Sequence, residues 1–257
     1  MILTAISTLR LAAAGLVAFM LLLPGGAQAQ ESSFTPEQEA EIEALVRSYI
    51  LENPQIILEA IEVLQAREQQ AETAARESAL AGAEAELYED PQSPIAGNPD
   101  GDVTIVEFFD YNCPYCKRVT PEIFGLLARD GNVRYIAKEW PIFGEDSEFA
   151  ARAALASDRQ GLYARFHQAL MAIRGPANPQ TVRRAADEIG LDWEQLEADM
   201  QDEAITEALA RNDALARRLG IRGTPAMVIG DNFLPGAVPA VEIAAIVAEE
   251  RAQAAGN

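Results

Sequence analysis

A chain of 257 residues, 49% of them apolar, can build a full hydrophobic core plus an accessory segment. Its 40 acidic side chains outnumber 20 basic ones, and the net charge of −20 argues against a nucleic-acid partner, which requires a basic face. Solubility accounts for that acidity without any special partner.

The N-terminus reads as a secretory signal peptide over residues 1–29. Arg10 supplies a thin positive region, Leu11 to Leu23 is apolar, Pro24-Gly25-Gly26 breaks the run, and Ala27-Gln28-Ala29 is a small-x-small cleavage site. The mature chain then starts near Gln30 and is exported to the periplasm, an oxidising compartment. An uncleaved membrane anchor is the alternative, and the apolar run is short for it.

Residues 30–90 read as a helical segment. From 31 to 90 there are fifteen acidic residues against three arginines. Thr35-Pro36-Glu37-Gln38 is a helix start, with Thr as N-cap and Pro at the first helical position. Ile42, Leu45, Val46, Tyr49 and Ile50 form an apolar stripe at helical spacing; after a break at Asn53-Pro54, Ile56, Ile57, Leu58, Ile61 and Leu64 continue it. From Gln65 to Glu86 the composition is strongly helix-forming with little to bury. The stripe can be covered by the following domain or by further copies of the chain. Self-association through residues 36–64 is the favoured expectation, because the polar helix after Leu64 holds the stripe away from that domain. The Pro- and Gly-rich residues 91–101 read as a linker before a catalytic domain at 102–257.

Val103 to Phe109 reads as a buried strand, and Lys117 to Arg129 as a helix with Ile123, Leu126 and Leu127 on one side. Between them lie the only two cysteines, Cys113-Pro114-Tyr115-Cys116. A helix N-terminus stabilises negative charge, so Cys113 is expected as a low-pKa nucleophile, with Cys116 one turn on and within disulfide reach. Pro114 suits the first helical turn. Such a pair exchanges disulfides through a mixed-disulfide intermediate. A structural disulfide closing so short a loop would stabilise little, and two Cys with one distant His make a poor zinc site.

Glu107 stands inside the apolar run. Buried, it would have a raised pKa and could exchange protons with the Cys116 thiol; the alternative is a strand-end carboxylate reaching solvent. Asp110 is expected to be exposed. Val133 to Ala137 reads as the next strand, parallel to the first across the helix. Lys138 follows, either tuning the acid near the cysteines or simply solvated. A helical block from Asp146 to Leu219 comes next: Ser147 or Asp146 caps one helix, Asn178-Pro179 and Asp192 start others, and His167 is expected at the core edge or surface rather than as a ligand. Thr224-Pro225 precedes a strand, Ala226 to Ile229, and proline there invites a cis peptide bond. A hairpin and a helix from Pro239 to Arg251 close the domain.

This order of strand, Cys-x-x-Cys helix, strand, helical insertion, Gly223-Thr224-Pro225, hairpin and helix resembles the α/β thioredoxin-like fold. The insertion, with Phe108-Phe109-Asp110-Tyr111, Lys138-Glu139-Trp140-Pro141 and Ala150 to Ala154, resembles the DsbA family of exported thiol–disulfide oxidoreductases. The resemblance implies Cys113 as nucleophile, Cys116 as resolving thiol, and Thr224–Pro225 as a cis-proline loop that binds extended substrate backbone. It also implies a buried acid at Glu107, Pro114 and Tyr115 as tuning residues, and no cofactor. Tyr115 replaces the histidine usual in the oxidases, which should leave Cys113 less acidic and the disulfide less oxidising. The helical N-terminus resembles the ScsC and Com1-like group. That narrower likeness implies an oligomeric disulfide isomerase acting on unfolded or misoxidised exported proteins, served by a membrane redox partner. A monomeric or dimeric oxidase is the alternative, as is a copper-tolerance protein holding Cu(I) at Cys113 and Cys116, since thiolates are soft ligands.

Overall fold

The structure is a computed structural model that describes residues 34–255. The expected signal peptide and cleavage site lie outside the described residues. The chain divides into two units after Ala66.

The first unit holds α1 (Pro36–Glu52) and the start of α2 (Gln55–Ala81). Thr35 and Gln38 form a reciprocal capping box, and Pro36 occupies the first turn. Asn53 and Pro54 end α1, with the Asn53 N–H returning to the Tyr49 carbonyl at 2.9 Å. Neither helix has a buried residue; Leu45, Tyr49, Leu51, Leu58 and Leu64 are all more than half exposed.

The second unit begins within α2 and continues through α3 (Glu84–Tyr88), β1 (Ile95–Gly97), β2 (Val103–Phe109), α4 (Pro114–Asp130) and β3 (Val133–Glu139). The helical insertion is α5 (Glu145–Asp158), α6 (Tyr163–Met171), α7 (Pro179–Ile189), α8 (Trp193–Asp199) and α9 (Glu203–Arg218). Then come β4 (Ala226–Ile229), β5 (Asn232–Pro235) and α10 (Ala240–Ala255). The sheet order is β1-β3-β2-β4-β5. β2 and β3 run parallel, joined through α4, and every other pair is antiparallel. Side chains alternate across the sheet. Ile105, Phe109, Tyr135, Ala137, Met227 and Ile229 face a core shared with α4, α10 and much of the insertion. Val106, Phe108, Ile136, Ala226 and Val228 face a second cluster closed by Leu87, Leu215, Leu219 and Ile221.

Four expectations need correction here. Residues 91–101 are not a free linker: β1 lies within them and pairs with β3. Gly97 has φ 72°, and a Cβ there would sit 2.4 Å from the Val133 carbonyl oxygen, so only glycine allows this pairing. The helical segment expected over 30–90 does not stay apart to its end, because Ala83 and Leu87 are buried under the sheet. Neither Ser147 nor Asp146 caps α5; its N-cap is Gly144, and Ser147 Oγ instead donates to Asp110 at 2.7 Å. His167 is fully buried rather than at an edge.

Candidate active site around Cys113 and Cys116

Cys113 is the N-cap of α4, and Pro114 takes the next position, where a missing N–H costs nothing. The pair therefore sits where a buried strand ends and a helix dipole begins. The cis Thr224–Pro225 peptide lies alongside, with Cys113 Sγ 3.2 Å from the Thr224 carbonyl oxygen. Cys113 has its pKa lowered to about 6: the Cys116 thiol hydrogen-bonds to its sulfur, burial opposes this, and the N–H groups of Cys116 and Tyr115 add to the lowering. The buried Thr224 hydroxyl has no hydrogen-bond partner. Cys116 is pushed strongly upward, first by burial, then by its bond to Cys113 and the Glu107 charge. One thiol is ready to attack and the other holds its proton. Tyr115 is exposed, with the Arg118 guanidinium 4.9 Å from its ring centroid.

Glu107 is buried on the cysteine face of β2. Tyr135 donates to its Oε2 at 2.7 Å, and Oε1 has no partner. Burial raises its pKa to about 7, the Tyr135 bond opposes that, and the Cys113 charge adds to it. Such an acid can take or return a proton at neutral pH.

Lys138 is not brought to this site. It is opposite Phe108 in the parallel register, so the period of two turns it to the other sheet face. There it is fully buried, donating to the Glu86 carbonyl at 2.6 Å and Ser93 Oγ at 2.7 Å, with Asp90 Oδ2 3.6 Å away. It anchors the chain entering the sheet and neither tunes the cysteines nor reaches solvent.

Asp110 is buried rather than exposed. Its carboxylate accepts from the N–H groups of Asn112, Ile142 and Phe143 and from Ser147 Oγ, tying the loop before Cys113 to the loop after β3. Two further ties dock the insertion: Asn112 Oδ1 accepts from the Ala177 N–H, and Lys117 Nζ donates to the Ile173 and Gly175 carbonyls.

A third buried acid, Glu139, is not among the site residues that the sequence singles out. Its Oε1 accepts from the Tyr111 and Tyr163 hydroxyls, each at 2.7 Å, and burial holds its pKa well above the carboxylate range. The Tyr111 hydroxyl lies 3.1 Å from His167 Nδ1; burial lowers the His167 pKa to about 3, so the imidazole stays neutral. Strand parity carried the signal: Glu139 shares its face with Tyr135 and Ala137.

Residues 104–248 match the DSBA-like thioredoxin domain. The chain belongs to that family. Residues 38–71 match the copper resistance protein ScsC N-terminal domain. That stretch holds neither cysteine nor histidine. A thioredoxin-like oxidoreductase from Silicibacter pomeroyi is 51% identical, over 65% of this chain and 96% of its own, with TM-score 0.63. Proteus mirabilis ScsC in a transitional conformation is 35% identical, over 86% of this chain and 98% of its own, with TM-score 0.64. A periplasmic thioredoxin-like protein from Salmonella enterica serovar Typhimurium is 36% identical, over 66% and 95%, with TM-score 0.61. The chain spans about a fifth of the curated relatives it matches first, among them a Na(+)/H(+) antiporter NhaA from Salinispora tropica, 28% identical over 137 residues, 21% of that protein. Among the described residues, no helix is long and apolar enough to cross a membrane.

Proposed function

We propose that this DsbA-like protein is an exported thiol–disulfide oxidoreductase of the periplasm, and that it works as a disulfide isomerase assembled through residues 36–64. The observation that carries the exchange chemistry is the Cys113 sulfur, of pKa about 6, at a helix N-terminus beside the Thr224–Pro225 loop. The Cys113 thiolate attacks a substrate disulfide; the old S–S bond breaks, a Cys113–substrate disulfide forms, and a substrate thiolate leaves. That thiolate can attack elsewhere in the substrate and return Cys113, with no net electron transfer. If it stalls, Glu107 accepts the Cys116 proton and Cys116 attacks Cys113, releasing a reduced substrate and leaving the Cys113–Cys116 disulfide. A reducing partner then resets the pair.

The largely exposed apolar stripe of α1 and α2 supports assembly, since an apolar face that the described residues leave mostly uncovered gains by meeting another copy. The direct test is a full chain carrying Leu45→Glu and Leu58→Glu, followed by light scattering and by reactivation of a scrambled multi-disulfide protein. Isomerase activity is expected to fall with assembly mass while oxidation of a dithiol peptide persists; reactivation that survives loss of assembly overturns the isomerase reading. An oxidase is the second reading, because a low-pKa thiol stabilises the reduced form and so makes the disulfide oxidising.

A further inference from the structure

Beside the cis-proline loop, within the second unit, lies a cleft of about 280 Å³. It is lined by Thr224, Pro225 and Phe233, and by Glu72 and Arg76 from the C-terminal part of α2. Two cations meet there. The Arg76 guanidinium stands 4.3 Å from the centroid of the Phe233 ring, and its buried Nε has no hydrogen-bond partner. Arg222, two residues before Thr224, is highly exposed, and its Nη2 is 3.7 Å from Glu72 Oε1.

A chain with net charge −20 repels anionic ligands at long range. Two arginines at the edge of the Cys113 site are a local exception, and one lacks a partner for a donor already out of water, which is costly unless something fills it. The Glu72 carboxylate already shows what one of them accepts. That ion pair is exposed on both sides, so it is worth little and is readily exchanged for an incoming carboxylate. Guanidinium groups suit carboxylates through their paired donors.

We propose that this cleft binds a carboxylate carried by the thiol or disulfide partner of Cys113, that Arg222 and Arg76 select it, and that Glu72 is its intramolecular stand-in. The inference rests on the exchange chemistry proposed above. The ligand is a carboxylate-bearing thiol or disulfide laid along the Thr224–Pro225 backbone. It is either an acidic side chain beside a cysteine in a substrate protein or a small acidic thiol such as glutathione.

The experiment uses the full chain with Cys116→Ala, so that the mixed disulfide at Cys113 accumulates and is counted by mass spectrometry. Two disulfide peptides differing only by Asp or Asn next to the cysteine are compared, and oxidised glutathione is compared with its carboxyl ester. The acidic member of a pair is expected to react about threefold faster, the scale of one partly exposed ion pair. Arg222→Gln, alone and with Arg76→Met, should bring that ratio to one or below. Glu72→Gln should raise it, and added salt should lower it. Preference in the peptide arm alone identifies a protein substrate; preference in the glutathione arm alone identifies the small thiol. A ratio near one in the parent, or one untouched by the arginine substitutions, overturns the carboxylate site and leaves the exchange chemistry standing. No mixed disulfide with any probe overturns both.

Discussion

Glu107 and Lys138 are buried on opposite faces of the same sheet, one residue out of step in the β2–β3 register, and their surroundings differ in completeness. Lys138 has a carbonyl, a hydroxyl and a carboxylate around its ammonium group. Glu107 has one hydroxyl and an unpartnered oxygen. A buried charge with all its partners holds the chain in place; a buried acid with a missing partner is left close to its own titration point. The first arrangement belongs to folding and the second to chemistry.

Breaking the complete side should produce the largest change in stability and none in reactivity. Lys138→Met strands Asp90, the Glu86 carbonyl and Ser93 Oγ, and should cost roughly 4 kcal/mol, the scale of a broken buried pair. Denaturant unfolding measures this, and ultraviolet titration of the thiolate should still place Cys113 at about 6. A moved Cys113 pKa would show that the faces are coupled.

Breaking the incomplete side should do the reverse. Glu107 has its pKa raised from 4.5 to about 7, so between those values the folded protein holds a proton that the unfolded chain has released. Its contribution therefore weakens as pH rises through that window and stays weak above it. Glu107→Gln should raise stability by roughly 3 kcal/mol well above neutral pH and change little below the carboxylate range, while slowing the attack of Cys116. Cys113 runs the other way. Its pKa falls from 9.0 to about 6, so it stabilises the reduced protein above that window, and the benefit is lost as pH falls through 6. In the reduced protein Glu107 and Glu139 both weaken stability as pH rises above the carboxylate range, against His167 and Cys113, so Glu107→Gln should make the profile between pH 4.5 and 7 fall less steeply or rise. A profile unchanged by the substitution would place the titrating acid elsewhere.

This contrast was only half legible in the sequence. Local signals carried most of the fold: the capping box at Thr35, the proline starts at Pro114 and Pro179, and the strand–helix–strand spacing all act within a few residues. The cysteine pair was legible for the same reason. Long-range partners were not. Asp110 looks like a solvent-facing turn residue until Ile142, Phe143 and Ser147 arrive from the far side of β3. Glu139 and Lys138 are adjacent in sequence, and the pleat sends one to the aromatic cluster and the other to Asp90. The short run 91–101 carries the composition of a linker, and its strand exists only because β3 supplies an edge to pair with.

A milder change tests how far one hydrogen bond sets the poise of Glu107. Tyr135→Phe deletes the only partner of Oε2, a bond that lowers the Glu107 pKa. The acid should titrate higher by less than one unit, with about 1 kcal/mol lost from stability. The pH dependence of the Cys116 attack on a mixed disulfide at Cys113 reports the shift; the absence of any upward movement would mean that burial alone sets this acid.

The smallest effect concerns the surface of the site. Tyr115 is 55% exposed, so a histidine in its place would put an imidazolium near the Cys113 thiolate in a largely aqueous setting. Charge near a helix N-terminus is worth a fraction of a kcal/mol when exposed, and solvent screening keeps it there. Tyr115→His should therefore lower the Cys113 pKa by about half a unit and make the disulfide more oxidising by about 15 mV, measured against a glutathione redox buffer. The buried groups, Glu107 and the Cys116 thiol, would then hold most of the control over this pair, and the residue between the cysteines a minor share. A shift several times larger would reverse that order and make the exposed dipeptide, rather than the buried acid, the setting that distinguishes isomerase from oxidase behaviour.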